Sequence, residues 1–180
     1  QEIYFDFIPQ GSYVDEGIWT FTFEPKKVVD GRYDLWLPGG GVLNPGTRFY
    51  FPVPDATLTI PSAAFRVISV GAYNSRTLSY ADFSGRGFMD GRKPDLAAPG
   101  VNIHTTQAGG GYTDVTGTSF AAPFVTGAAA LLMEWGIVKG NDPYLYGEKV
   151  KAYLRRGARE LPGFTEYPNP LVGYGALCVR

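Results

Sequence analysis

The hydrophobic pattern changes its period along the chain. Over the first sixty residues, short apolar runs read as strands. Ile3-Tyr4-Phe5-Asp6-Phe7 and Gly17-Ile18-Trp19-Thr20-Phe21-Thr22-Phe23 are rich in β-branched and aromatic residues. Successive side chains of a strand point to opposite faces. Ile18, Thr20 and Thr22 therefore share one face, and Trp19, Phe21 and Phe23 the other. Asp30-Gly31 marks a tight turn before a further strand, Arg32 to Leu37. Pro38, the glycines 39–41 and Asn44-Pro45-Gly46 form a loop. These strands suit an antiparallel sandwich but are too few to close one, so a neighbouring segment outside the chain is expected to complete it.

From about residue 61 the pattern is that of an α/β protein. The apolar run Val67 to Ala72 predicts a buried strand of a parallel sheet. A polar stretch with Ser84-Gly85-Arg86-Gly87 follows. Lys93 to Gly100 leads into a strand at Val101–Thr105, and the glycines 109–111 separate it from Tyr112–Val115. Residues 119–135 are Ala-rich and apolar on nearly every face, which predicts a buried helix of four or more turns. An amphipathic helix is expected from Glu148 to Arg159, with Val150, Ala152, Tyr153 and Leu154 among basic residues. The tail from Pro168 to Arg180 is expected to end in a short strand.

Composition narrows the chemistry. Sixteen basic and seventeen acidic residues give a net charge of −1, unlike the basic excess of a nucleic-acid binder. No uninterrupted run of 18 apolar residues exists, which predicts no membrane span. The single cysteine, Cys178, excludes an internal disulfide and a Cys-based zinc cage, and is read as a packing residue beside Arg180. The single histidine, His104, excludes multi-His metal sites. No loop has Ca²⁺-ligand spacing, so no metal and no cofactor is expected. The chain begins at Gln1 with no signal-like segment, as a cleaved precursor or a trimmed chain would.

The stretch that carries chemistry is Gly117-Thr118-Ser119-Phe120-Ala121-Ala122-Pro123-Phe124-Val125-Thr126-Gly127. It sets a serine at the start of a helix. A helix N-terminus presents unpaired N–H groups and a positive dipole end. A serine there can attack a carbonyl while its own backbone N–H faces the oxygen that becomes negative. Gly117 has no Cβ to hinder an approaching backbone. Ala121 and Ala122 keep the first turn slim. Pro123 is expected within about the first turn, where its missing N–H costs little. Gly127 costs about 1 kcal/mol relative to alanine inside a helix, tolerated where another backbone passes close. A plain serine cap on a buried helix is the bland alternative.

The full pattern, Gly-Thr-Ser-x-Ala-x-Pro-x-Val-x-Gly, with Ala130-Leu131-Leu132 after it, resembles the nucleophile motif of the subtilisin-like serine proteases (subtilases, peptidase family S8). Val67 to Ala72, Phe83 to Gly87, Lys93 to Val101 and Gly173-Tyr174-Gly175 are similar to further segments of that family, in the same order. The resemblance implies serine endopeptidase activity with Ser119 as nucleophile and oxyanion donor. It implies substrate contacts at Gly117, Thr118 and Phe120, and Phe124 stands where histidine is common in the family. Gly31 to Pro38 and Thr57 to Pro61 are in the style of the jelly-roll insertion of clostridial Csp-type subtilases. The expected architecture is therefore α/β: residues 1–56 form the end of an inserted β-sandwich, and 57–180 the C-terminal part of a catalytic domain with a parallel sheet and a buried nucleophile helix.

The family mechanism needs a histidine base and an aspartate that orients it. The family's D-[ST]-G, H-G-T-H and A-G-N words are absent; Asp30-Gly31 and Asp90-Gly91 lack the middle residue. His104 is read as a surface or packing residue, and Asp82, Asp95 and Asp114 as without a histidine word to serve. Asp95 is read as a turn-forming or hydrogen-bonding residue, Asp114 as a loop carboxylate, and Asn74 as an asparagine outside the oxyanion context. The partners implied are an upstream part of the same protease, carrying the Asp, the His, the Asn and the rest of the jelly roll, and a peptide or protein substrate; no nucleic acid and no membrane. The family implies an extracytoplasmic or spore-associated location. Two alternatives stand beside this reading. One is a subtilase-fold pseudoprotease acting as scaffold or sensor. The other is a carbohydrate- or protein-binding sandwich, against which core packing of Trp19 and Trp36 is preferred.

Overall fold

The apolar run read as a buried strand forms one, shifted a few residues towards the C-terminus. In the computed structural model, which describes residues 3–9, 11–38, 43–88 and 92–179, strand β1 covers Val70–Asn74. The glycines 39–41, the Asp90-Gly91 pair and Arg180 lie outside the described residues. β2 (Ser79–Tyr80) folds back antiparallel to β1, and β3 (Leu96–Pro99) pairs parallel with β1 in the register Val70↔Leu96 to Tyr73↔Pro99. The sheet order is β2-β1-β3, so the sheet is mixed, not wholly parallel as expected. β4 (Ile103–Thr106) and β5 (Tyr112–Val115) form a hairpin across the glycine loop.

Both faces of the sheet are covered. On one face Ala72, Leu96 and Ala98 meet Ala121, Val125 and Ala128 of helix α1 (Thr118–Met133), with Val150 and Leu154 of helix α2 (Glu148–Gly157) in the same cluster. On the other, Tyr73 and Ala97 join Leu161, Val172 and Ala176 of the C-terminal segment. Alternation along β3 sends Ala97 one way and its neighbours the other, as a strand buried on both faces requires. The expected terminal strand is reduced to single bridges, in which Ala176 pairs with Ala97 and with Arg159.

α1 is not buried all round. Only Ala121, Val125 and Ala128 are buried, and Phe124, Leu131 and Met133 face outward. One sheet can cover only one side of a helix, whatever the composition of the other. A π-helical turn, Glu134–Val138, continues α1 and exposes Trp135, Ile137 and Val138. Together Thr118–Val138 is 21 residues long and apolar enough by composition to cross a membrane. The count of uninterrupted apolar residues missed this, because Thr126, Gly127 and Glu134 break the run. No Cβ placed at Gly127 would meet an atom within 4 Å among the described residues, so the close-passing backbone expected there is absent.

Residues 1–49 and 50–180 form separate units. Within the first, the described residues contain no β-ladder, and none occurs up to residue 60, so the expected sandwich strands are not formed. The segments lie together through their rings instead. Phe5 meets Phe21 at 4.8 Å and Phe7 meets Trp19 at 4.9 Å, an antiparallel alignment, and Phe23 lies 5.3 Å from Tyr33. Trp19, Phe21 and Phe23 thus behave as one face. A pair of extended segments without a covering layer is marginal in water, and a single layer leaves its rings half covered. Trp19 and Trp36 are 56% and 66% exposed, contrary to the expected core packing.

Candidate active site

Gly117 is the residue on which the turn before Ser119 depends. It precedes α1 with φ 153° and ψ 159°, a conformation that favours glycine, and no side chain caps the helix. Its N–H donates to Gly100 O at 2.9 Å, and Gly100 N–H donates to Tyr73 O at 3.0 Å. The turn is thereby tied through Gly100 to the end of β1. Gly100 has to be glycine for a packing reason: a Cβ there would sit 2.7 Å from Ala72 Cβ and 3.1 Å from Gly117 O. In the sequence Gly100 stands within the family-like segment Lys93 to Val101, with no role of its own assigned. The Pro-Gly pair at the end of β3 was its only signal.

Ser119 is the second residue of α1 and is exposed to solvent. Among the described residues its backbone N–H and its hydroxyl have no hydrogen-bond partner. Both are thus open to a ligand. Phe120 N–H donates to Gly117 O at 3.1 Å, and the Phe120 ring lies over Gly117, 3.6 Å from where a Cβ would be. Pro123 falls inside the helix at its sixth residue, beyond the first turn expected for it. Its missing N–H leaves Ser119 O without the usual i→i+4 donor. Thr118 borders a cavity of about 440 Å³ that Asp82, Ser84 and Arg86 also line. Thr118 and Asp82, two residues singled out in sequence, therefore share a cleft beside the nucleophile turn.

His104 and Asp114 are directly opposite on β4 and β5. Nδ1 lies 2.9 Å from Asp114 Oδ1, and the imidazole stacks on Tyr112 at 5.2 Å. Both side chains are mostly exposed, at 69% and 61%. Asp114 therefore serves a histidine, contrary to the expectation, but the pair makes no hydrogen bond to Ser119. Asn74 is engaged in the β1–β2 turn, where its Oδ1 accepts from Arg76 N–H at 3.0 Å. Cys178 is a free, half-buried thiol. Among the described residues no cluster of three His, Cys, Asp or Glu side chains could hold a metal.

Asp95 is the hydrogen-bonding residue of the expected pair of roles, not the turn-forming one. It is fully buried and accepts from Ser69 N–H at 2.6 Å, Lys93 Nζ at 2.8 Å and Arg155 Nε at 2.8 Å, with Arg155 Nη2 on the same oxygen. Lys151 Nζ lies 3.8 Å away and donates to Phe65 O at 2.7 Å. Burial first, then Lys93 and Arg155, pulls the Lys151 amine below its usual range, against the opposing pull of Asp95. This carboxylate joins the segments leading into β1 and β3 to α2. The legible signal was the spacing of Lys151 and Arg155, one helical turn apart and so on one face.

Comparison with known proteins decides the family. The Subtilase family (peptidase S8) matches residues 48–175. The chain belongs to the subtilase family. Serine protease AprX of Bacillus subtilis is 31% identical over 147 residues, 69% of this chain and 31% of AprX. PII-type proteinase of Lactococcus lactis is 44% identical over 73 residues, 41% of this chain and 4% of that protein. The solved structure of the Clostridium perfringens CspB protease superposes with a TM-score of 0.73 at 48% identity, over 76% of this chain and 30% of that one. That likeness supports placing this subtilase in the Csp-type group. The chain spans less than a third of the length of these three relatives.

Proposed function

We propose that this chain supplies the nucleophile of a serine endopeptidase. Ser119 Oγ gives its proton to a base and attacks the scissile carbonyl; the C–N bond breaks, the amine leaves with that proton, and water then hydrolyses the acyl-enzyme to free Ser119 and the acid. The open N–H of Ser119 donates to the developing oxyanion; in subtilisin, losing one such donor costs about 2.7–4 kcal/mol. Gly117, Thr118 and Phe120 contact the peptide. The single observation that carries this reading is a solvent-exposed serine in the leading turn of α1, with its hydroxyl and N–H both unengaged.

The proton acceptor comes from elsewhere. His104 is held by Asp114 on the hairpin and makes no bond to Ser119. The triad Asp and His, the oxyanion Asn and the completing jelly-roll strands belong to an upstream part of the same protease. The 180 residues alone are accordingly inactive. We place the whole protease outside the cytoplasm or on the spore.

A fluorophosphonate probe tests this. The chain alone is expected to label no faster than its Ser119→Ala variant, and full-length protein to label rapidly at Ser119. Rapid labelling of the chain alone overturns the need for an upstream base. Absence of labelling in folded full-length protein turns the reading to a pseudoprotease acting as scaffold or sensor.

A further inference from the structure

A cavity of about 400 Å³ lies apart from the nucleophile turn, and none of residues 117–120 lines it. Arg92, Lys93 and Arg155 line it, and among the described residues no carboxylate does. Behind this wall the charges do not balance. Lys93, Lys151 and Arg155 share the one buried carboxylate of Asp95, and Glu148, mostly exposed, reaches only Lys151 at 4.0 Å. Donors also remain. Lys93 Nζ, on a side chain 8% exposed, has three N–H groups and engages Val67 O and Asp95 Oδ2. Arg155 engages Asp95 through Nε and Nη2, which leaves Nη1 without an acceptor among the described residues.

The remaining wall is apolar. Phe65, Phe88 and Tyr174 contribute rings, and Arg155 lies over the Tyr174 ring at 5.0 Å. We propose that this cavity binds an amphipathic organic anion, a monocarboxylate carried on a flat apolar body. The carboxylate meets Lys93 and Arg155, and the body lies among the rings. A bare inorganic anion would leave the rings unused and lose its hydration against them. A neutral aromatic would leave the cationic excess unanswered. The size suits a small ligand with a few polar contacts.

The site is tested on the full chain by calorimetric titration with 2-naphthoate, its neutral analogue 2-naphthalenemethanol, and inorganic phosphate. The naphthoate is expected to bind at least about tenfold more tightly than the alcohol, and phosphate not to displace it. Phe88→Glu and Ala63→Glu place a negative charge at the half-exposed wall. Each is expected to weaken naphthoate about tenfold or more, with Phe88→Leu within about threefold of the parent; circular dichroism checks folding. The proposal is overturned by equal binding of the alcohol, by displacement with phosphate, by no saturable naphthoate binding, or by full binding in whichever glutamate variant folds.

Discussion

Gly100 shows how one missing methyl group positions the turn that carries Ser119. The end of β3 passes between Ala72 and the turn at Gly117 with no room for a Cβ. Gly100→Ala forces apart β1 and the turn that carries Ser119. The expected destabilisation is about 1–3 kcal/mol, as for overpacking elsewhere, read by urea unfolding. Labelling of Ser119 in full-length protein should slow in the same variant, since the turn moves with it. Asp95 is the opposite case, a residue indispensable for what it is. Asp95→Ala leaves Lys93, Lys151 and Arg155 sharing a buried space with no counter-charge. Removing one partner of a buried pair costs about 3–5 kcal/mol, and the unfolding midpoint in urea should fall accordingly.

Among the elements, α2 and the segment before it carry the charge pattern. Val150, Lys151 and Leu154 face inward, and Arg155 follows Lys151 by one turn. Amphipathicity placed the helix correctly, but it also put Ala152 and Tyr153 with the apolar set, and both are exposed. Lys151 took an inward position because the Asp95 carboxylate, just before β3, waits there, a partner that no local window contains. Asp142, ahead of α2, is held by Lys149 Nζ at 2.6 and 2.8 Å. The hydrogen bond from Lys149 holds its carboxyl below the ordinary value, and the same bond holds the Lys149 amine above its own. A carboxyl lowered on folding stabilises the fold above its unfolded value of about 3.9 and loses that contribution as the pH falls through the folded one. The stability difference between the chain and Lys149→Met should therefore be flat near neutrality and shrink below about pH 4. Thermal unfolding between pH 2 and 7 checks this.

For the whole molecule, the exposed side of α1 is the dominant feature. Phe124, Leu131, Trp135 and Val138 present apolar surface on a helix whose other side is fully packed. Surfaces of this kind associate or are covered by a partner. The chain alone should enhance the fluorescence of anilinonaphthalene sulfonate and self-associate on size-exclusion chromatography. Leu131→Lys with Val138→Lys should reduce both, with the melting temperature of the chain within about 3 °C, because neither side chain contributes to the core. A buried role for these residues would instead show as a large loss of stability.

How much was legible depended on the range of the interactions. The nucleophile motif, α1, α2 and the Tyr112–Val115 strand were read from local sequence because their signals are local: a glycine before a serine, alanine-rich runs, turn glycines. β3 was missed because Leu96-Ala97-Ala98-Pro99 is short, small and ends in proline. It is a strand only because β1 on one side and the C-terminal segment on the other supply its hydrogen bonds. The ladders expected before residue 60 failed for the reverse reason. Their side chains alternate as strands do, yet ring contacts alone do not pair two backbones.

The order of residues by itself determined the subtilase motifs, where the helices run and which serine opens α1, since each rests on neighbours within a turn or two. Folding alone decided that Asp95 gathers three cations, that Gly100 anchors the turn before Ser119, that His104 meets Asp114, and that half of an apolar helix faces water. Each of these is set by groups distant along the chain but adjacent in space, where burial and charge act without regard to sequence separation.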